Sequence, residues 1–301
     1  MLDYKQLHAL SVLIAQQSFE KAANELCITQ SAVSQRIKLL EQAIGQPVVI
    51  RSQPIRVTRI GQKLLSHYQQ VQLLEQDVLP DIHADNKNQL IHVKLACNAD
   101  SLATWLTNAL THVSDQYELE FNLFLANEDR TINFLQKGEV FGAVSTLNKA
   151  LPGCTFDKLG DMEYILVASK TFSEKYFANG INKESLQKAP TIVFDPKDDM
   201  HIKYLEQEYG LKMGSYPCHT VRSSETFVDF SKQGLAYCLV PILQVQEELL
   251  SGELINLLPD YTLTRTLYWH HWILLKGAFK ALSNAIIENA HKALANQNKY
   301  G

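Results

Sequence analysis

The chain is short of cysteine, and the five it has, Cys27, Cys97, Cys154, Cys218 and Cys238, are odd in number and form no CxxC pair. Such spacing suggests neither a disulfide framework nor a zinc ligand set. Cys218 with Cys238 stays open as a redox pair, which requires a thiol of lowered pKa. Cys97 with His92, or Cys218 with His219, has the residue types of a thiol nucleophile and its base. Neighbours in a strand point to opposite faces, so the second pair is poorly placed for that chemistry. Also lacking is any apolar run of membrane-spanning length. The opening MLDYKQLHALSVLIAQQ has no basic start, long apolar stretch or small-residue cleavage site. A cytoplasmic protein without membrane contact is the expectation. Catalytic signatures are missing as well: no G-x-S-x-G, GxxxxGKS or GxxxxGKT, HExxH or GxGxxG occurs. Acid pairs are abundant but have no defining spacing, which leaves a hydrolase formally open; the expectation is a non-enzyme with no cofactor and no metal.

What is present is an ordinary globular composition, 46% apolar and 20% charged over 301 residues, long enough for two or more domains. The charge is unevenly spread. Residues 1–60 hold seven Lys/Arg against four Asp/Glu, a balance of +3, which leaves 21 basic and 28 acidic residues, −7, to the rest. A polyanionic partner is therefore expected at the N-terminal end only.

That end carries the most specific pattern. From Ser18 to Pro47, Ser18 can cap a helix with Ala22, Ala23 and Leu26 on one face, and Cys27 and Ile28 fall in a turn. Thr29 can cap a second helix, in which Val33, Ile37, Leu40 and Ile44 form one buried stripe before Gly45 ends it. The opposite face offers Gln30, Ser31, Ser34, Gln35 and Lys38, with Arg36 at its flank, all suited to base edges and phosphates. An ordinary amphipathic helix also has a polar outer face. The flanks favour the nucleic-acid reading: VVIRSQPIRVTRIG alternates, breaks at Pro54 and supplies Arg51, Arg56 and Arg59, as a small β-wing would. Residues 62–79 then lack Gly and Pro. Leu64, Tyr68, Val71, Leu74 and Val78 recur there as a near-heptad seam that one helix cannot bury alone, so a dimer is expected; a helix packed on its own domain is the alternative. Pro80 is expected to stop this helix, and DIHADNKNQ reads as a polar hinge.

Ala22-Ala23, Thr29-Gln30-Ser31-Ala32-Val33-Ser34, Ile37, Leu40-Glu41, Gly45, Val48, Arg51, Thr58 and Gly61 together resemble the N-terminal domain of LysR-type transcriptional regulators, and the likeness covers the whole chain in length and layout. CITQSAVSQRIKLLEQAIGQP, NADSLATWL, VFDPKDDMH and SGELINLLP with LYWH resemble, within that family, regulators responsive to arginine and lysine. The resemblance implies an all-α winged helix-turn-helix at 1–60 and a linker or dimerisation helix and hinge at 61–89. It further implies a periplasmic-binding-protein-like α/β effector domain at 90–301. That domain would have one subdomain at 90–161 and 266–301, another at 162–265, two crossover strands between them, and a small molecule in their cleft. It implies a homodimer or homotetramer on an operator of double-stranded DNA, with RNA polymerase as a further partner.

The residues of the second region agree with an α/β reading and largely parallel sheets. LIHVKLAC, ELEFNLFL, FGAVST, EYILVAS, TIVFD, CHTVR, LAYCLVP and LYWHHWILL read as strands, with helices near 101–113, 130–137, 200–209, 225–233, 242–251 and 278–296. Ligands in such sheets sit beyond the carboxyl ends of strands. Asn98-Ala99-Asp100-Ser101 and Ser223-Ser224-Glu225 follow strands and open helices, good seats for a carboxylate. The same loops are acidic, with Asp100, Glu128 and Asp129, Asp195 with Asp198 and Asp199, and Glu225, so the ligand must also bring a cation. Lysine or arginine meets both demands. Ser145 is a weaker candidate, and His201 could contact a ligand carboxylate or lie on the surface. Asp100, Ser101 and Ser224 would also serve as plain helix caps, Asp195 before Pro196 as a turn residue, and Glu128 and Asp129 as a solvated helix start. Trp269, His270, His271 and Trp272 read as core or interface, with the two histidines splayed apart. A solute-binding protein or a DNA-architectural protein would each account for half the chain.

Overall fold

The computed structural model describes residues 2–82, 90–195 and 199–297. The N-terminal region is built on α1 (Tyr4–Gln16), α2 (Phe19–Glu25) and α3 (Gln30–Ile44). Ser18 and Thr29 cap α2 and α3 through their side chains, and Gly45 closes α3 at φ 79°. Cys27 takes the left-handed turn conformation at φ 53°. Val33, Ile37 and Leu40 are fully buried against α1, whose Leu7, Leu10 and Leu13 are equally inaccessible. Burying each such side chain contributes roughly 1.5–3 kcal/mol, and α1 supplies the surface that the two read helices needed.

The wing is a minimal antiparallel pair, β1 (Val49–Ile50) and β2 (Arg56–Val57). It is anchored to α3 and the next helix by backbone chemistry: Val48 N–H donates to the Glu41 carboxylate at 2.9 Å, and the Thr58 hydroxyl donates to the Pro47 carbonyl at 2.8 Å. The following helix, α4 (Arg59–Ile82), begins so close to this strand that a Cβ on Gly61 would stand 2.1 Å from the Val48 carbonyl oxygen. Only glycine fits there.

Two expectations for α4 are corrected. Pro80 does not stop the helix; it lies in the last turn, where one missing N–H leaves the rest of the ladder intact. Leu64 and Tyr68 are not free for a seam between chains, since both are buried in the N-terminal core and α1 packs along this part of α4. Val71 is half-buried and Leu74 exposed. The side chain of Val78 and residues 83–89 of the expected hinge lie outside the described residues.

The second region runs β3 (Ile91–Cys97), α5 (Ala99–Ser101), a π-helical turn at Leu102–Leu106, α6 (Thr107–Ser114), β4 (Leu119–Leu125), α7 (Ile132–Lys137), β5 (Gly142–Ser145) and β6 (Cys154–Ala168). It continues through α8 (Lys170–Tyr176), α9 (Lys183–Lys188), β7 (Thr191–Val193), α10 (Asp199–Tyr209), β8 (Cys218–Thr220), α11 (Ser224–Lys232) and β9 (Cys238–Pro241). A 3-10 turn at Ile242–Gln244, α12 (Gln246–Ser251), β10 (Ile255–Asn256), β11 (Leu263–Trp272) and α13 (Gly277–Leu294) complete it. The sheet order is β10-β6-β11-β5-β3-β4, with β9 also on β6; β7 and β8 pair apart from it.

The sheet is mixed rather than largely parallel. β3 pairs in parallel with β4 and β5, but β6 and β11 run antiparallel to each other over nearly their whole length. The chain leaves the first lobe along β6 and returns along β11, so two neighbouring strands must oppose. β6 starts nine residues before the expected EYILVAS segment, because its first half contains Gly160 at φ 138° beside a register shift, which breaks the alternation a strand shows in sequence. The expected core role of Trp269 holds: it is fully buried, meets Phe141 edge-on at 5.6 Å and donates its indole N–H to Ser283 at 2.8 Å. His270 and His271 turn to separate partners, the Leu147 carbonyl and the Asp157 carboxylate.

The two regions touch through α4. The Gln62 side-chain amide donates to the Lys137 carbonyl at 3.0 Å and the Ser66 hydroxyl to the Gln136 carbonyl at 3.2 Å, at the end of α7. Replacing Gly61 by alanine is expected to force β1 and α4 apart and destabilise the N-terminal unit by about 1–3 kcal/mol. Urea unfolding followed by circular dichroism would measure this, and an unchanged midpoint would show that the Val48 contact yields freely.

Candidate effector cleft and nucleic-acid interface

Two surfaces collect the candidate residues. On α3, Gln30, Ser31, Gln35 and Lys38 are exposed, and Ser34 and Arg36 are half-buried along the same polar side. The Ser31 hydroxyl is 2.9 Å from that of the capping Thr29, so part of its bonding capacity serves the helix start. Arg51 and Arg56 are exposed on the wing, and the Arg51 guanidinium lies over the Phe19 ring at 5.7 Å. A cation at that distance gains from the ring quadrupole, and the contact links wing to α2. Arg59 is exposed at the start of α4. The arrangement presents one polar helix face flanked by three guanidinium groups.

The second surface is a cavity between the lobes. From the first lobe it is lined by Asn98, Asp100, Asn127 and Glu128; from the second, by Ile192, Phe194, Met200, His201, Ser224, Phe227 and Leu239. Asp100 is its centre. One carboxylate oxygen accepts from the Ser224 hydroxyl at 2.6 Å, and the other accepts from the Tyr164 hydroxyl at 2.9 Å. Thus a residue after β3 is held by one on β6 and one at the start of α11. Burial pushes the Asp100 carboxyl above the usual carboxylate range, and the nearby Glu225 adds to this, against the lowering effect of its two hydroxyl donors. The Ser224 oxygen is also 2.8 Å from the Gln244 side-chain oxygen. Serine has one proton and serves one acceptor at a time, so Ser224 is shared between Asp100 and Gln244.

Glu128 stands at the same cavity. Burial, with Asp100 and Asp129 beside it, pushes its carboxyl up to about 7, despite a hydrogen bond from its own backbone and the opposing charge of Arg265. That guanidinium approaches only to 3.9 Å, from Nε. The cavity therefore brings two acids together with incomplete positive compensation and apolar walls. A cation carried on an aliphatic stem would complete it.

Not every candidate belongs to this lining. Ser101 is fully buried but outside it, and no hydrogen bond to its hydroxyl is found among the described residues. Ser145 is fully buried and accepts from the Leu147 amide at 3.2 Å instead. Ser223 caps α11 and donates to Glu225 at 2.8 Å, and neither belongs to the cavity lining. Asp195 lies 3.7 Å from Arg130, joining the lobes by an ion pair. Asp198 and the side chain of Asp199 lie outside the described residues. The capping alternative fails for Asp100, Ser101 and Ser224: the cap positions are Asn98 and Ser223, and the three point to other partners or none. Glu128 is half-buried, its side chain 12% exposed, and is not a solvated helix start. His201 is a correction of another kind, since it is 3% exposed rather than superficial.

Asn98 and His201, both named in the sequence reading, line the cavity, whereas Tyr164, Gln244 and Arg265, which reach Asp100, Ser224 and Glu128, are not singled out by the sequence. The cysteines make no disulfide, and burial pushes the thiols of Cys97, Cys154 and Cys238 up to about 12, the opposite of an activated thiol. No group of three potential metal ligands occurs among the described residues, and none of their helices is long and apolar enough to cross a membrane.

Residues 4–62 match the family described as bacterial regulatory helix-turn-helix protein, lysR family, and residues 91–288 match the LysR substrate binding domain. The HTH-type transcriptional regulator ArgP of Photobacterium profundum is 50% identical over 293 residues, covering 97% of this chain and 98% of that protein. Among solved structures, ArgP from Mycobacterium tuberculosis is similar with a TM-score of 0.84 at 30% identity, covering 96% of this chain and 98% of its own. The full-length regulator LysG from Corynebacterium glutamicum, solved with bound effector Arg, is similar with a TM-score of 0.80 at 30% identity, covering 97% and 99%.

The raised Glu128 carboxyl makes a pH prediction. Its folded value, about 7, exceeds its ordinary 4.5, so the folded state binds the extra proton. The stability this group contributes is complete below pH 4.5 and is lost as pH rises through about 7. Glu128→Gln should match the unliganded parent at pH 4 and exceed it by roughly 2–3 kcal/mol at pH 8. Urea titrations at the two pH values test this, and parallel pH profiles for the two proteins would remove the buried-acid account.

Proposed function

We propose, for a chain that belongs to the LysR family of bacterial helix-turn-helix regulators, that the cavity around Asp100 receives a basic amino acid, lysine or arginine, and that its occupancy changes how operator DNA is held. The chain is a DNA-binding transcriptional regulator with an amino-acid effector. One observation carries the choice of a basic side chain. Asp100 and Glu128 both carry desolvated carboxyls at one cavity, Asp100 is met by two hydroxyls rather than by a cation, and Glu128 has Arg265 no nearer than 3.9 Å. An ammonium or guanidinium placed there favours the charged form of both acids, which burial disfavours. The apolar walls suit the methylene stem, and the bound arginine of LysG supports the same class of ligand.

The ligand acts by preferring one arrangement of the lobes over another, since equal affinity for both would shift nothing. Gln30, Ser31, Ser34, Gln35 and Arg36 read base edges, while Lys38, Arg51 and Arg56 hold phosphates and supply the salt dependence. The working unit is a dimer or a pair of dimers in the cytoplasm, with RNA polymerase as its downstream contact and no catalytic step of its own. Val71 and Leu74, not consumed by the N-terminal core, support pairing along the later part of α4. In this reading residues 1–60 contact DNA, 61–89 pair and connect, and 90–301 sense.

Two substitutions separate the surfaces. Asp100→Asn should weaken lysine and arginine binding by about 1–3 kcal/mol, the scale of a lost charge-assisted contact, and leave operator binding without effector unchanged. Arg36→Ala should abolish specific operator binding and spare the effector. Calorimetry and gel-shift titrations read the two affinities. A parent protein that binds neither amino acid would overturn the effector assignment, and equal loss of both activities in each variant would overturn the division of labour.

A further inference from the structure

Two side chains at the cavity have polar atoms without partners among the described residues. Asn98, 3% exposed, makes no hydrogen bond with either its amide oxygen or its amide nitrogen, and His201, also 3% exposed, makes none with Nδ1. They belong to opposite lobes and line the same space as Asp100. Buried polar groups without partners are uncommon because desolvation is then uncompensated. Three such atoms at one cavity call for a ligand that supplies both a donor and an acceptor.

Hydrogen-bond geometry fixes what His201 can offer. The Thr191 hydroxyl has one proton and lies 3.1 Å from the Tyr237 carbonyl, which can only accept. Thr191 therefore accepts from His201 Nε2, at 2.7 Å. Burial also pulls this imidazole down to about 4, so the ring is neutral. The proton is on Nε2, and Nδ1 presents a lone pair. A ligand carboxylate would be repelled there, whereas an ammonium would be bound. Asn98 offers the complementary set, one donor face and one acceptor face.

We infer that Asn98 and His201 read the head group of the effector from the two sides of the cleft, His201 Nδ1 accepting from the α-ammonium and the Asn98 amide donating to the α-carboxylate. This rests on the reading of the cavity as a basic amino-acid site, and it divides the labour within it: Asp100 and Glu128 take the side-chain cation, while Asn98 and His201 demand a free α-amino acid. A diamine or an amino acid lacking its α-nitrogen fits the acids but leaves one of the two readers unpaired. Because the readers come from different lobes, an intact head group adds a bridge between them to those that Ser224 with Asp100 and Arg130 with Asp195 already make.

The test compares lysine with cadaverine, which lacks the carboxylate, and with 6-aminohexanoate, which lacks the α-amino group, by calorimetry on the full-length protein. The parent should prefer lysine to each truncated ligand by at least tenfold. Asn98→Ala should lower lysine affinity at least tenfold and narrow the lysine to cadaverine ratio; His201→Phe, which keeps an apolar ring, should narrow the lysine to 6-aminohexanoate ratio. Without ligand, Asn98→Ala should melt no lower than the parent, because it removes two buried groups that no described protein atom satisfies. Equal weakening of lysine and cadaverine by Asn98→Ala, or a melting point several degrees lower, would overturn the role of Asn98. Equal weakening of lysine and 6-aminohexanoate by His201→Phe would overturn that of His201. A parent that binds lysine without discriminating the truncated ligands sinks this inference alone. One that binds no basic amino acid sinks the underlying reading and this inference with it.

Discussion

A single buried carboxyl group, that of Asp100, holds together parts of the chain that no local rule would connect. Its two oxygens take hydroxyls from Tyr164 on the crossover strand and Ser224 at the head of α11, which lies in the other lobe. Both bonds are to neutral donors, so the desolvated acid is satisfied in geometry but not in charge. The electrostatics of the cavity follow from this deficit. Glu128 shares it, Arg265 relieves it only from a distance, and the proton that each acid tends to retain is what a cationic ligand would displace.

The mixed sheet is what makes such a centre available. β6 and β11 lie side by side and antiparallel, so each lobe is continuous with the same pair of strands, and Tyr164 sits in the one through which the chain leaves the first lobe. A side chain there can touch a loop of either lobe without itself moving far. The N-terminal region uses the opposite strategy, with short helices packed so tightly that Gly61 is placed by the carbonyl of Val48. One region is held together by long paired strands and the other by close helix packing.

How much of this was legible in the sequence depended on the range of the interaction. Ser18, Thr29 and Gly45 act within a few residues, and the two helices they bound appear as read. The wing arginines were equally local. By contrast, α1 lacks a comparably distinctive motif, and α8 and α9 are too short for periodicity to show. Gly160 hid the first half of β6, and Leu64 and Tyr68 had a seam-like spacing that the chain satisfies with its own α1. In the cavity, Asp100, Glu128 and Ser224 could be chosen because each follows a strand, but not the reason for their importance. Ser224 reaches Asp100 across 124 positions of sequence, and the burial that leaves the Asn98 amide and His201 Nδ1 without partners among the described residues is a product of the tertiary fold.

The joint between α4 and the end of α7 sets the scale on which such a molecule can respond. It includes two hydrogen bonds, from Gln62 and Ser66 to backbone carbonyls, in exposed positions. Each is a net contribution of about 1 kcal/mol, comparable to the coupling of about 1–3 kcal/mol that a small effector can deliver between distant sites. A much stiffer attachment would weld sensor to reader, and a much looser one would let them move independently. Bonds of this size connect the two regions without fixing them rigidly to each other.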